Sequence, residues 1–97
     1  DIDGIFSTND IAAIGAMKYL KSVGRKIPED IAIAGFSNEP TSAVIEPSLT
    51  TVDQSGEEIG RLACKLLLDY FENGNTLEND KTIILQPKLI VRDSTKK

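Results

Sequence analysis

Phe6-Ser7-Thr8-Asn9-Asp10 is the stretch that decides how this chain is read. An apolar run beginning at Gly4 breaks there into polar residues, and a helical pattern starts at Asp10. A strand that ends this way places amide and carboxylate groups at its carboxyl end. In parallel α/β sheets that edge is where small ligands bind. The pattern recurs where Ile31-Ala32-Ile33-Ala34-Gly35-Phe36 breaks into Ser37-Asn38-Glu39, and where Leu49-Thr50-Thr51-Val52 breaks into Asp53-Gln54-Ser55. Three strand ends of one chemical type point to a binding cleft rather than a catalytic centre.

Working outward, the pattern predicts strands at Gly4–Thr8, Ile31–Phe36 and Leu49–Asp53. The first two lack polar alternation, as strands buried on both faces do. A helix is expected over Asp10–Val23, closed by Gly24 with Pro28 just beyond. Strand, helix and strand then form a right-handed parallel βαβ unit. The polar residues Lys18, Lys21 and Ser22 form one stripe of that helix, and nearly everything else on it is apolar or small. That surplus exceeds what one sheet face needs, so a neighbouring helix or another subunit must cover it. The proline-bounded segment Glu39–Pro47 reads as a loop or short helix whose Ala43, Val44 and Ile45 also lack room inside.

Ser55–Asn73 reads as the longest helix, with Ser55 and Glu58 as a capping box. Its apolar stripe is Ile59, Leu62, Ala63, Leu66, Leu67 and Tyr70, and Glu57–Arg61 is an i,i+4 ion pair. Asn73–Asp80 reads as a polar loop. Thr82–Gln86 and Lys88–Arg92 read as strands separated by Pro87, and Asp93–Lys97 as a fraying end.

Composition narrows the function. A net charge of −4 with 11 scattered Lys and Arg residues argues against direct contact with nucleic acid. There is no histidine, which removes the commonest general base and a common metal ligand. The acidic pairs Asp1/Asp3, Glu29/Asp30, Glu57/Glu58 and Asp69/Glu72 fall on termini, loops or solvated helix faces, where a catalytic pair would need a buried member. Cys64, the single cysteine, has no base to activate it and cannot close an internal disulfide. Phosphate loops and zinc spacings are absent from the sequence. No catalytic residue, metal or cofactor is therefore expected, and no segment is apolar enough to form a membrane-spanning helix. The chain opens on Asp1 and enters a strand almost at once, which reads as a piece of a longer protein. Cut from its other strands, the sheet would carry open edges, so self-association is expected.

Asn9, Ser37, Asn38 and Gln54 are the candidate ligand contacts. An Asn amide both donates and accepts, as a sugar hydroxyl requires. Each also has a plain structural reading. Asn9-Asp10 would serve as a helix N-cap, Ser37-Asn38-Glu39 as a turn before Pro40, and Gln54 as a solvent-facing side chain. Their shared position at strand ends favours the cleft.

Phe6-Ser7-Thr8-Asn9-Asp10, Ala13-Ile14-Gly15-Ala16, Ile27-Pro28-Glu29-Asp30-Ile31, Gly35-Phe36, Pro47-Ser48-Leu49-Thr50-Thr51-Val52 and Arg92-Asp93-Ser94-Thr95 occur in order. Together they resemble the C-terminal part of the effector-binding region of LacI/GalR-type transcriptional repressors, over nearly the whole chain. The resemblance implies an α/β, three-layer fold with a mainly parallel sheet, a fragment of a two-lobed architecture related to periplasmic sugar-binding proteins. Residues 1–53 and 88–97 would belong to the lobe farther from DNA and 55–86 to the DNA-proximal lobe, with Asp53-Gln54-Ser55 at a crossover. A DNA-binding headpiece would precede this segment and lies outside this chain. Ile14, Met17, Val44 and Ile45 would line a homodimer interface, in agreement with the surplus apolar surface.

In the family, residues matching Asn9 contact the effector, as does an acidic residue after the Gly-aromatic pair. Ser37 stands at that acidic position, and Gly56 where some members carry an aromatic ring. Both departures weigh against a simple monosaccharide. The implied function is sensing of a small molecule, a sugar or related metabolite, by a cytoplasmic repressor that contacts operator DNA through its headpiece. The alternatives are a periplasmic solute-binding protein of a sugar transporter and an enzyme fragment on a doubly wound sheet.

Overall fold

The computed structural model describes residues 1–74 and 82–97. Their elements are β1 (Gly4–Phe6), α1 (Asp10–Ser22), β2 (Ala32–Ala34), α2 (Thr41–Val44), β3 (Thr51–Asp53), α3 (Gly56–Glu72), β4 (Lys88–Ile90) and a 3₁₀ turn at Asp93–Thr95. β1 and β2 pair in parallel, with Ile5 opposite Ile33, as a helical crossover requires. β2 then continues toward β3 through a parallel bridge at Ala34 and Thr50. Beyond it Gly35 N donates to Thr50 O at 2.8 Å and Ser37 N to Val52 O at 2.9 Å. The three segments run in one direction, so their carboxyl ends share one side of the molecule. β4 returns antiparallel along β3, with Val52 opposite Leu89.

The core is small: Ala13, Met17, Ile27, Ile31, Ile33 and Leu49, with Ile5, Ile14, Ala16, Leu20 and Ile45 packed around it. α1 turns Asp10, Ala13 and Met17 inward and leaves Ile11, Tyr19 and Val23 exposed. The surplus read from the sequence is thus real, except that Met17, expected at an interface, fills this chain's own core. β1 is less covered than its sequence suggests. It is the outer strand of its pair, and Phe6 is 69% exposed.

α3 differs more. None of its residues is buried, and Leu67, Leu68 and Phe71 face solvent. Its stripe residues Ile59, Leu62, Ala63 and Leu66 line an open groove together with Ile83 and Leu85. The radius of gyration, 18.4 Å, exceeds the ~13 Å of a compact chain this long. Ser55 does not form the expected capping box. Its backbone is left-handed, it makes no side-chain cap, and its N–H donates to Asp53 Oδ1 at 2.8 Å. Arg61 pairs with Glu58 rather than Glu57, one helical turn away on the same face. That hydrogen bond holds the Glu58 carboxyl below its usual range and raises the Arg61 guanidinium.

Two expectations toward the end of the chain fail. Thr82–Gln86 forms no strand. Its apolar residues meet no pairing edge among the described residues, and Ile84 lies exposed. Most of the polar loop Asn73–Asp80 lies outside the described residues. Asp93–Thr95, expected to fray, is fixed instead. Ser94 is fully buried; its Oγ donates to Ile33 O at 2.5 Å and accepts from Thr50 N at 2.9 Å. Ser94 N donates to Ser48 O at 2.8 Å. The serine stands where β2 and β3 would otherwise share a ladder rung, so two buried backbone groups depend on one hydroxyl. Ser94→Ala is expected to destabilise the full-length protein by roughly 2–4 kcal/mol, measured by urea denaturation; an unchanged midpoint would show that the hydroxyl is dispensable.

Candidate functional site

The site is assembled around one buried carboxylate. Asp10 is fully buried in the first turn of α1, where the helix dipole favours a negative charge. Its Oδ1 accepts from Thr51 Oγ1 at 2.6 Å, and its Oδ2 accepts from Glu39 N at 2.7 Å. Asp10 thereby fastens the start of α1 to β3 and to the turn after β2. This close approach explains Gly35. A Cβ there would overlap the Asp10 carboxylate and lie 3.1 Å from Leu49 Cδ2.

The turn after β2 is anchored amide by amide. Ser37 N reaches Val52 O, Asn38 N reaches Thr51 Oγ1 at 3.1 Å, and Glu39 N reaches Asp10. Ser37 and Asn38 both have positive φ, 113° and 51°, a region costly for residues with a Cβ. The anchors hold that conformation. It presents the Ser37 hydroxyl to Gln54, whose Nε2 donates to Ser37 Oγ at 3.0 Å. Gln54 Oε1 then remains available as an acceptor and the Ser37 hydroxyl as a donor.

The four candidate contacts therefore divide. Ser37 and Gln54 are brought together at adjacent strand ends. Asn9 stands on the same side, beyond the end of β1, and caps α1 by accepting from Ala12 N at 2.7 Å through Oδ1. The plain reading of Asn9 as N-cap is thus realised, at an exposed position. Asp10, the other cap candidate, is the hub instead. Asn38 turns inward, its Oδ1 accepting from Arg92 Nη2 at 3.0 Å.

Sequence reasoning missed Arg92, Ser42 and Thr51. Arg92 Nη1 also donates to Ser42 Oγ at 2.7 Å and to Leu49 O at 3.0 Å. Ser42, fully buried, donates in turn to Glu39 O at 2.6 Å. A lone arginine after the apolar run Leu89-Ile90-Val91 was the available signal, since a cation beside a buried strand needs internal acceptors. Among the described residues no cluster of three metal-ligating groups occurs. Ser37, Gln54 and Asn9 offer neutral amides and hydroxyls at the strand ends, suited to hydrogen-bonding a polyhydroxylated molecule.

Two substitutions test the hub. Asp10→Asn would turn an NH₂ group against one of two donors, and a loss of about 2–3 kcal/mol in folding stability is expected. Gly35→Ala should cost about 3 kcal/mol, the upper end for overpacking. Chemical denaturation of the full-length variants reads both; wild-type stability in either would remove Asp10 from the centre of the site.

The periplasmic binding protein-like domain family matches residues 2–95. The ribose operon repressor of Halalkalibacterium halodurans is 40% identical over 98% of this chain and 28% of its own length. The solved transcriptional regulator CelR–cellobiose complex superposes with a TM-score of 0.88 at 34% identity, over 97% of this chain and 28% of that one. A LacI family transcriptional regulator from Enterococcus faecium with bound ribose gives 0.88 at 34% identity, over 96% of this chain and 34% of that one. The chain thus spans about a third or less of the length of each of these relatives. With sequence and three-dimensional course both shared along nearly its whole extent, the relatives it resembles are LacI-type transcriptional regulators, and the chain belongs to the periplasmic binding protein-like domain family.

Proposed function

We propose that this chain is the effector-sensing and dimerising part, from the C-terminal portion, of a regulator that controls operator DNA allosterically. The observation that carries the reading is the alignment of three parallel strand ends. They set Asn9, Ser37 and Gln54 on one side of the molecule above the Asp10 hub. The relatives with bound ribose and cellobiose support a carbohydrate as the effector. The neutral groups of Asn9, Ser37 and Gln54 suit sugar hydroxyls, and Ser37 would offer one neutral hydroxyl where a carboxylate would accept two hydrogen bonds. That difference favours an effector other than a simple monosaccharide. No catalytic step enters the reading.

In this reading the intact protein has two lobes in three-layer α/β form. Residues 1–53 and 88–97 belong to the DNA-distal lobe and 55–86 to the DNA-proximal one. The antiparallel β3–β4 ribbon and Asp53-Gln54-Ser55 form the crossover, in keeping with the separation of α3 from the core. The open apolar surface of α1 and α2 would be covered by a second subunit. Val44, 81% exposed, would be its most protruding contact, flanked by Ile14 and Ile45, with Met17 supporting it from within. The effector would bind one lobe arrangement better than the other and shift a cytoplasmic dimer between states of different operator affinity.

Fluorescence anisotropy of the full-length protein on its operator, with ribose, cellobiose, lactose and other sugars, tests the sensing. One of them should change operator affinity by roughly 5–150-fold; no response to any sugar would overturn the carbohydrate reading. Val44→Asp should shift sedimentation of the same protein toward monomer, and an unaltered dimer would remove the α1–α2 surface as the interface.

A further inference from the structure

We infer that Arg92 is a positioning residue for the effector site. Acting through Asn38, it holds the Ser37–Asn38 turn in the conformation that brings Ser37 to Gln54. The inference rests on the reading of Ser37 and Gln54 as effector contacts, but its mechanics stand on the geometry alone.

Arg92 is half-buried, and its guanidinium donates to three neutral acceptors: Asn38 Oδ1, Ser42 Oγ and Leu49 O. Among the described residues the salt bridges are Arg25–Asp30 and Arg61–Glu58. A guanidinium in this position depends on fixed oxygens for solvation. Two of those acceptors frame the turn. Asn38 lies within it, and Ser42 also donates to the Glu39 carbonyl that closes it. The backbone of Arg92 is fixed independently, its N–H donating to Thr50 Oγ1 at 2.8 Å. A fork anchored on β3 thus grips a turn whose two central residues have positive φ. Asparagine tolerates that region better than most residues, but serine has no such advantage. The conformation at Ser37 therefore has to be imposed from outside: the anchors at Val52, Thr51 and Asp10 hold the amides, and Asn38 Oδ1, which also accepts from Ser42 Oγ at 3.4 Å, is the side-chain handle that Arg92 grips. Releasing it would let the turn relax and the Ser37 hydroxyl move off Gln54.

Hydrogen exchange resolved to single amides, on the full-length protein without ligand, tests this directly. Arg92→Met should accelerate exchange at Ser37 and Asn38 by about tenfold or more, with Ala32 in β2, whose N–H donates to Asp3 O, unchanged. Asn38→Ala should do the same, and the double variant should match either single one, as coupled residues require. Ser94→Ala, which loosens β2 against β3, should instead accelerate exchange at Thr50, whose N–H donates to Ser94 Oγ. If Arg92→Met does not fold, Arg92→Lys takes its place, keeping the charge but losing the fork. Unchanged exchange at Ser37 and Asn38, acceleration shared equally with Ala32, or additive effects of the two single variants would each overturn the inference. Because no sugar is present, its failure is separable from failure of the carbohydrate reading.

Discussion

A carboxylate with no access to water is the constraint on which this molecule is arranged. Burying Asp10 is tolerable only because both of its oxygens are occupied, one by a hydroxyl from β3 and the other by a backbone N–H from the turn after β2. Those partners lie 41 and 29 residues away in sequence. Meeting the needs of one side chain therefore fixes where three strand ends sit relative to one another. The packing is tight enough that Gly35 cannot carry a side chain. The exposed polar edge is built on this foundation: Asn9 precedes Asp10, Ser37 precedes the turn that Asp10 holds, and Gln54 follows the strand that supplies Thr51.

Much of this was legible in the sequence because it is local. Apolar runs ending in polar residues marked β1, β2 and β3, and glycine and proline marked the close of α1. The parallel pairing followed from the helix between the first two strands. The common side of Asn9, Ser37 and Gln54 followed from the pairing. What was not legible depended on contacts distant in sequence. Nothing around Asp10 distinguishes a hub from an N-cap until Thr51 and Glu39 are brought to it. Asn38 reads as a turn residue or a ligand contact until Arg92, 54 residues later, claims its oxygen. Ser94 sits in a polar tail that resembles any fraying end, and only the gap between β2 and β3 gives its hydroxyl a task. Thr82–Gln86 shows the opposite error: its residues suit a strand, but a strand also needs an edge to pair with.

The two halves of the apolar inventory behave differently. Around Ile33 and Leu49 side chains are enclosed by elements of this chain. On α3 a well-formed amphipathic stripe has almost nothing to pack against, and on α1 and α2 a second apolar surface stays open. An amphipathic helix draws most of its stability from the surface it covers rather than from intrinsic propensity. Among the described residues α3 therefore has little of the packing that would stabilise it, whereas the β1–β3 region carries its own core.

The hydroxyl of Ser94 closes a contact with Ile33 across 61 residues, and it sits at the seam between two strands that are already near neighbours. Such a seam cannot be completed by local structure. The first fifty residues can reach their approximate positions early, but their final register waits on a residue made much later. Long-range closure of this kind slows assembly, because the entropy of bringing distant segments together is lost before the contact contributes. During synthesis the strands around Ile33 and Thr50 emerge before Ser94, so the seam between them is latched by a residue made after both.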